Sequence, residues 1–438
     1  MVSWRESANL PMNLRSKKYR VKVGSYRYLK RRLGETMLKS WLKTMSSSSE
    51  ASPTQQKRQR CEASSETCRD PCTLVTWNAN GLITRAKSNS RDLQEFVREH
   101  DPDVLCVQEA RVKAHCANPK AQSKSPDIRN RARPLASEAK ELSPLLDTAP
   151  LKSYRATWSL ANGRHFRTLM LVHERLGRAN VFCSLDAARH AIRTAASERP
   201  DGPTAPPSLD RQLEHHIQGR LQYVAFATFD LLNTYVPNRG WTDQSCRARE
   251  EWDNQVREFL LERQKLTQGR PLIWCGDHNV AHTAADSTHE DFFRAARPEG
   301  QSTEAYRAAT LEKDRGMPGF SDGERSRFER LLDAGGLFDA WRVLNPSVEK
   351  DPAAAAFTWR GARAKNVPGL ARYEGKAQRL DYFLLSKELE PRLKSCRVLG
   401  HGIDLIGFLG SDHCPVLLEL DTHKVEDPQG RGGCSDDT

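Results

Sequence analysis

The chain has 438 residues, 38% of them hydrophobic, and a formal net charge of +12. That is enough apolar material for a sizeable core, yet no apolar run approaches the ~20 residues that a membrane span requires. The charge is uneven: between Met1 and Met45 twelve Lys/Arg face two acids, residues 46–72 balance four against four, and about +2 remains for everything after Cys72, so the body of the chain is not a uniformly basic coat for nucleic acid.

Residues 1–72 read as a basic, disordered leader. Its acid-poor, Arg-rich start suits an organelle transit peptide, and Lys57-Arg58-Gln59-Arg60 suits a nuclear signal. The nucleus is the expected address and the mitochondrion the alternative. Order is expected from Thr73. Leu74–Trp77 reads as a strand ended by the turn Asn78-Ala79-Asn80-Gly81. Asp92–His100 has the helical spacing of Leu93, Phe96 and Val97, and Val104–Val107 is a second strand followed at once by Glu109. Two proline-rich insertions are expected as loops, about 116–150 and 196–210. Leu169–Val172, Tyr223–Thr228, Leu231–Val236, Pro271–Cys275, Leu380–Leu385 and Pro415–Leu420 read as strands, and Arg247–Leu266 as an amphipathic helix. Residues 423–438 read as a loose tail. Strands and helices interleave over 73–422, which argues for one α/β domain. The eleven Cys fit no metal framework. Cys106, Cys275 and Cys414 sit in apolar runs, where Cys acts as a small hydrophobe, and this suits a reducing compartment.

Most chemically capable side chains fall at strand ends, where loops gather polar groups on a rigid frame. Asn78, Glu109, Tyr235 with Asn238, and Asp277 with Asn279 follow strands, whereas Asp381 and the run Ser411-Asp412-His413 begin or precede them. Each alone has an ordinary reading: a turn for Asn78, a surface acid for Glu109, an Asx-turn for Asp277-His278-Asn279, a buried ion pair for Asp381, core for Trp359. If the ends converge, four carboxylates repel one another and some take up protons. A hard divalent cation with oxygen ligands resolves that repulsion. It also polarises a phosphoryl oxygen, while the His and amides donate to the non-bridging oxygens. This is a layout for phosphodiester hydrolysis. The chain lacks the G-x-x-x-x-G-K cradle of nucleotide-binding loops.

Taken together, the runs Thr76-Trp77-Asn78-Ala79-Asn80-Gly81-Leu82, Pro102–Glu109, Asn233–Asn238, Cys275–His282, Arg379–Ser386 and Gly410–Val416 resemble the exonuclease III-type abasic-site endonucleases of the endonuclease/exonuclease/phosphatase superfamily. The resemblance implies a four-layer α/β sandwich, with two packed mixed β-sheets flanked by helices. It implies hydrolysis 5′ to an abasic site in duplex DNA, leaving a 3′-hydroxyl and a 5′-deoxyribose phosphate. The alternatives are a 3′-repair phosphodiesterase or 3′–5′ exonuclease, and a catalytically silent DNA-binding or redox partner; the second is disfavoured because the acids are all present. By position, Glu109 is implied as the principal Mg²⁺ ligand (Mn²⁺ substituting), with Asn78 and Asp412 nearby and Asp277, Asn279 and His413 also around the cation. Asp277 is implied to deprotonate the attacking water and Asn279 to contact the phosphate. His413 is implied as a phosphate-side donor oriented by Asp381, or, in another assignment, as the base. Tyr235 and Asn238 resemble phosphate-positioning residues. Phe357-Thr358-Trp359 and Leu380 resemble a pocket for a flipped-out, base-less sugar. The implied partner is duplex DNA with abasic sites or blocked 3′ ends, met by a monomer.

The chain departs from the pattern in places. Asn80 stands where some members carry Asp, which weakens a second-metal argument. Gln378 occupies a place often held by an aromatic. Trp241 is either a stacking or a packing residue. His278 stands where an apolar residue is usual.

Overall fold

The structure, a computed structural model, describes residues 69–115, 133–160, 167–197, 219–347, 356–361 and 371–422. Its strands in chain order are β1 (Thr73–Asn78), β2 (Val104–Gln108), β3 (Tyr154–Ser159), β4 (Thr168–His173), β5 (Val181–Phe182), β6 (Leu221–Ala225), β7 (Asp230–Tyr235), β8 (Leu272–Asp277), β9 (Leu337–Asp339), β10 (Trp359–Arg360), β11 (Ala377–Gln378), β12 (Asp381–Ser386), β13 (Leu393–Val398) and β14 (Val416–Leu420). They form two six-stranded sheets, ordered β13-β14-β1-β2-β4-β3 and β5-β6-β7-β8-β12-β9, and the small pair β10-β11. Each large sheet is mixed, with a parallel pair at its centre, β1/β2 in one and β7/β8 in the other.

Period-2 alternation decides the layering. In a strand buried on both faces, successive side chains enter two different cores. Ile273 and Cys275 of β8, Phe383 and Leu385 of β12, and Val104 and Cys106 of β2 fill the space between the sheets. Leu272, Trp274, Tyr382 and Leu384 turn outward, onto the helices Leu185–Ser197, Asp243–Leu266 and Asp322–Gly335. On the other flank Leu105 and Val107 meet Leu93, Phe96 and Val97 of the helix Ser90–His100. Three apolar layers therefore separate helices, sheet, sheet and helices, the four-layer sandwich that the resemblance implied.

Local chemistry sets the helix ends. Asp243–Leu266 begins four residues before the predicted Arg247, because Thr242 and Ser245 form a reciprocal capping box. Its Trp252, Val256, Phe259 and Leu260 are buried at helical spacing. Ser321 caps Asp322–Gly335 by accepting from the Glu324 backbone N–H.

Other segments differ more from the expectation. Ala136–Leu146, read as part of a loop, is a helix whose Leu142 and Leu145 are buried against the outer core. The prolines misled: Pro134 precedes the helix, Pro150 follows it, and Pro144 stands inside it near the C-terminal end, removing one backbone donor without ending the helix. Residues 69–72 are not part of a loose leader: Arg69 donates its backbone N–H to Leu176 O at 2.8 Å, Thr228 N donates to Asp70 Oδ1 at 2.8 Å, and Cys72 N to Asp103 Oδ2 at 2.8 Å. Ala196 and Ser197 close a helix rather than opening an insertion. The remainder of the leader (1–68), of both insertions (116–132 and 198–210) and the tail (423–438) lie outside the described residues.

Strand register brings the polar strand ends to one edge. Asn78 pairs with Gln108, directly before Glu109; Tyr235 pairs with Asp277; Asp381, on an antiparallel strand, also pairs with Asp277. Thr76 pairs with Val416, so the turn preceding β14 arrives beside Asn78.

Candidate active site

The Asn78 side chain ties the two sheets together at this edge. Its Nδ2 donates to Glu109 Oε1 at 3.2 Å and to Asp277 Oδ2 at 2.9 Å, and its Oδ1 accepts the Asn80 backbone N–H at 2.9 Å. Asn80 Nδ2 in turn donates to Asp412 Oδ1 at 2.7 Å. Tyr235 donates its phenol proton to Glu109 Oε1 at 2.8 Å. Asn279 is fixed by its own backbone N–H on Asp277 Oδ1 (2.8 Å), by Nδ2 on Val236 O (2.9 Å), and by the Asn238 amide on its Oδ1 (3.2 Å). His413 Nδ1 meets Asp381 Oδ2 at 2.8 Å. All the predicted polar site residues thus belong to one hydrogen-bonded assembly, drawn from stretches more than 300 positions apart.

The backbone beneath them is strained. Asn80, Glu109, Arg111 and Asn279 hold φ values of 46°, 45°, 51° and 48°. A non-glycine residue in this region costs ~1–3 kcal/mol, a cost that persists where surrounding contacts over-determine it. Gly276, just before Asp277, has φ 131°, and a Cβ there would meet Thr234 O at 1.9 Å. Only glycine lets β7 and β8 approach so closely beside the two carboxylates.

Electrostatics divide the acids from the imidazole. Burial pushes the Asp277 carboxyl up to about 7; the His413 charge and hydrogen bonds from Asn279 and Asn78 oppose the rise, while Asp381 reinforces it. Burial works against a charged His413, but Asp381 and Asp277 overcome it and lift the imidazole to about 10. The imidazolium is therefore the form favoured at neutral pH. Burial, then Glu109 and Asp277, hold the Tyr235 phenol well above its ordinary value, so it keeps its proton.

Asp277, Asp381 and His413 bring ligand-type atoms within 4.8 Å of one another. That closeness does not by itself make them the cation site, since an imidazolium already offsets one of the two negative charges and a protonated nitrogen has no lone pair to offer. The donor set that fits a hard cation is oxygen-only: Glu109, Asn78 and Asp412, joined through Asn78 and Asn80. Glu109 Oε2 is meanwhile held by Arg111, whose Nε lies 2.8 Å away. Asp381 Oδ1 is buried without a hydrogen-bond partner among the described residues, so this edge retains capacity for another donor.

Beside the acids lies an apolar wall. Leu380, Phe320, Phe293, Tyr373 and Ala281 form one cluster, with Trp359 packed on it. Trp359 and Leu380 both belong to this wall. Phe357, which precedes the short strand that carries Trp359, is instead fully buried in the core between the sheets. Trp241 packs edge-on against Tyr306 at 6.2 Å, a packing role.

His278 also acquires a physical account. Its side chain points away from the acids into the helix-side core, boxed by the rings of Trp274, Tyr382 and Phe328 at 4.6, 5.4 and 5.5 Å. Burial, with Arg249 nearby, depresses it to about 3. An ordinary His titrates near ~6.5, so the neutral ring supports the fold fully above that value, and the support is lost as pH falls from there towards 3. His278→Met should therefore unfold at lower pH than the parent protein. Thermal melts from pH 7 to pH 4 check this, and parallel acid limbs for the two proteins would count against it.

Sequence reasoning missed two arginines. Arg220 is buried beneath Tyr235, its guanidinium 5.0 Å from the ring centroid and Nη1 donating to Tyr235 O at 3.1 Å. Arg249 holds the turn after β7 to the turn after β8, through Pro237 O at 3.0 Å and Asn279 O at 3.3 Å. The available signal was weak: an Arg opening a strand, and an Arg on the apolar stripe of a helix.

The chain is similar to known proteins in sequence and in fold. The Endonuclease/Exonuclease/phosphatase family model matches residues 75–413. A DNA-(apurinic or apyrimidinic site) endonuclease of Arabidopsis thaliana is 35% identical over 364 residues, covering 83% of this chain and 88% of the plant protein. The DNA repair nuclease APEX1 of Danio rerio is 28% identical over 354 residues, covering 79% and 81%. In fold, the chain is similar to the AP endonuclease LMAP from Leishmania major, with a TM-score of 0.53, 19% identity and 81% and 88% coverage. The chain belongs to the Endonuclease/Exonuclease/phosphatase family, within its branch of abasic-site endonucleases.

Proposed function

We propose that this protein is a cation-dependent DNA repair endonuclease that hydrolyses the phosphodiester 5′ to an abasic site in duplex DNA, leaving a 3′-hydroxyl and a 5′-deoxyribose phosphate, with Mg²⁺ as its cation and Mn²⁺ able to replace it. The observation that carries the reading is the single Asn78 amide nitrogen shared by Glu109 and Asp277. It places the strongest candidate for cation binding beside the strongest candidate for proton transfer. The names of the relatives support the choice of substrate.

Glu109, with Asn78 and Asp412, would hold the cation, which when bound polarises the phosphate and steadies the leaving alkoxide. Asp277, poised near neutrality, takes the proton of the attacking water. The Asn279 backbone N–H on Oδ1 keeps that carboxylate in one orientation. The His413 imidazolium, held through Nδ1 by Asp381, has its other N–H free to donate to a non-bridging oxygen as charge builds there. Tyr235 and Asn238 steady Glu109 and Asn279 from behind. Trp359 and Leu380 receive the base-less sugar. Such a pocket selects by size, and extrusion costs least when no base is stacked.

Product-end analysis on a duplex with one tetrahydrofuran abasic analogue, beside a duplex with a blocked 3′ end, tests the reading. With Mg²⁺ the expected product is a single cut 5′ to the lesion, and none forms with chelator. Faster clearance of the blocked end would make 3′ repair the main activity. Binding without a cut on either duplex would leave a silent DNA-binding protein.

We further propose a nuclear address carried by the cluster Lys57-Arg58-Gln59-Arg60, with a mitochondrial address carried by the basic residues 1–45 as the alternative, and action as a monomer. Fluorescent fusions with and without those residues, and sedimentation of the purified chain, check these points.

A further inference from the structure

We propose that Trp359 is a positioning residue for Asp412, so that the wall of the sugar pocket and an acid of the cation site move as one unit. This rests on the reading above of where the cation and sugar bind.

The Asp412 carboxylate is claimed from two sides. Asn80 Nδ2 donates to Oδ1 at 2.7 Å, and Trp359 Nε1 donates to Oδ2 at 3.2 Å. A hydrogen bond to a carboxylate is charge-assisted and about twice as strong as a neutral one. The backbone repeats the connection: Arg360 N donates to Asp412 O at 3.0 Å, Cys414 N donates to Thr358 O at 2.8 Å, and Trp359 bridges to His413. The segment bearing Trp359 is thus stitched along the whole Asp412–Cys414 turn.

The indole is also held from its far side. The Tyr373 ring meets it edge-on at 6.1 Å and 71°. Tyr373 is in turn fixed by Arg372, whose Nη2 donates to the phenol oxygen at 2.7 Å, and by the ring of Phe292 at 5.9 Å. Thr358, next to Trp359, accepts the backbone N–H groups of Leu380 and Asp381 at 2.9 and 3.0 Å. A sugar pressing on Trp359 therefore bears on a ring whose one polar atom orients Asp412. Conversely, an Asp412 freed on its Oδ2 side can rotate away from the cation.

Trp359→Phe separates the two roles of the residue, because it keeps an aromatic wall and removes only the donor. Losing a partner that orients a metal ligand typically weakens metal affinity 10–100-fold. Calorimetric titration of Mn²⁺ into DNA-free Trp359→Phe should show a dissociation constant about 10-fold weaker than the parent's, judged from that range. In incision assays kcat at fixed sub-saturating Mg²⁺ should fall with it, KM for the abasic duplex should stay within about twofold if the wall is intact, and saturating Mg²⁺ should restore part of the rate. Tyr373→Leu, which loosens the indole without touching its N–H, should shift Mn²⁺ affinity in the same direction by less. Parental Mn²⁺ affinity in both variants would overturn the proposal, as would a Trp359→Phe effect confined to KM. Failure of the parent protein to incise abasic DNA would sink the proposed function, while the Mn²⁺ titrations would still judge the role of Trp359.

Discussion

Replacing Asp277 by Ala is expected to lower kcat on an abasic duplex by about 100-fold or more, the range typical for loss of a positioned general base, with KM little changed. The expectation follows from where the carboxylate sits. It is buried, braced on one oxygen by the Asn279 backbone N–H and on the other by Asn78, and lifted to about 7, so it can accept a proton from water without holding it too weakly or too tightly. The working form is the carboxylate, so the rate should rise with pH through neutrality and fall below it; a cation bound nearby draws the inflection to lower pH. His413, held charged up to about 10 by its two acidic neighbours, offers no competing base at neutral pH. Near-normal turnover of Asp277→Ala would reject this role. The Asp277→Asn variant, which keeps a side-chain oxygen for the Asn279 backbone N–H, should also not be less stable than the parent. A carboxyl raised above its unfolded value near 3.8 binds a proton more readily in the folded state, so it weakens the fold as pH climbs from there through 7. With chelator present at pH 8, Asp277→Asn should therefore melt at or above the parental temperature. A clear drop would mean that the carboxylate serves structure instead.

The second large effect is expected at Glu109. Its Oε1 accepts from Asn78 and Tyr235, and its Oε2 from Arg111. Glu109→Ala would leave the buried phenol without its acceptor, mixing a structural loss of ~1–3 kcal/mol with the functional one. Glu109→Gln is the cleaner change: one side-chain oxygen remains to meet Tyr235, and the negative charge is gone. Turnover should drop by about 100-fold or more, since Lewis-acid stabilisation is worth several kcal/mol, and calorimetry should find cation binding weakened in parallel. If Glu109→Gln bound Mn²⁺ as the parent does, the principal ligand would have to be sought among Asp277, Asp381 and His413, the other tight cluster.

Much of this protein was legible before its coordinates. Short apolar runs such as Val104–Val107 and Leu380–Leu385 announce buried strands, because a strand covered on both faces has no polar alternation to show. Asn78, Glu109, Asp277, Asp381 and Asp412 were singled out not one by one, since polar residues at strand ends have ordinary structural readings, but by their occurrence together in runs that carry the family resemblance. The layering was implied only by resemblance; the split of Leu272 and Trp274 from Ile273 and Cys275 into different cores is what establishes it.

Sequence by itself indicated most of the longer strands, the amphipathic helix that ends at Leu266, and the chemical inventory of the site, since these depend on neighbours in the chain. Only the tertiary structure decided which nitrogen joins Glu109 to Asp277, that His413 keeps its proton, that His278 turns its ring into an aromatic box, that Phe357 leaves the pocket, and that the Trp359 indole reaches Asp412. Hydrogen-bond partners and charge states are set by groups hundreds of positions away, and by how far packing excludes water from them. Neither quantity is written in any local pattern of residues.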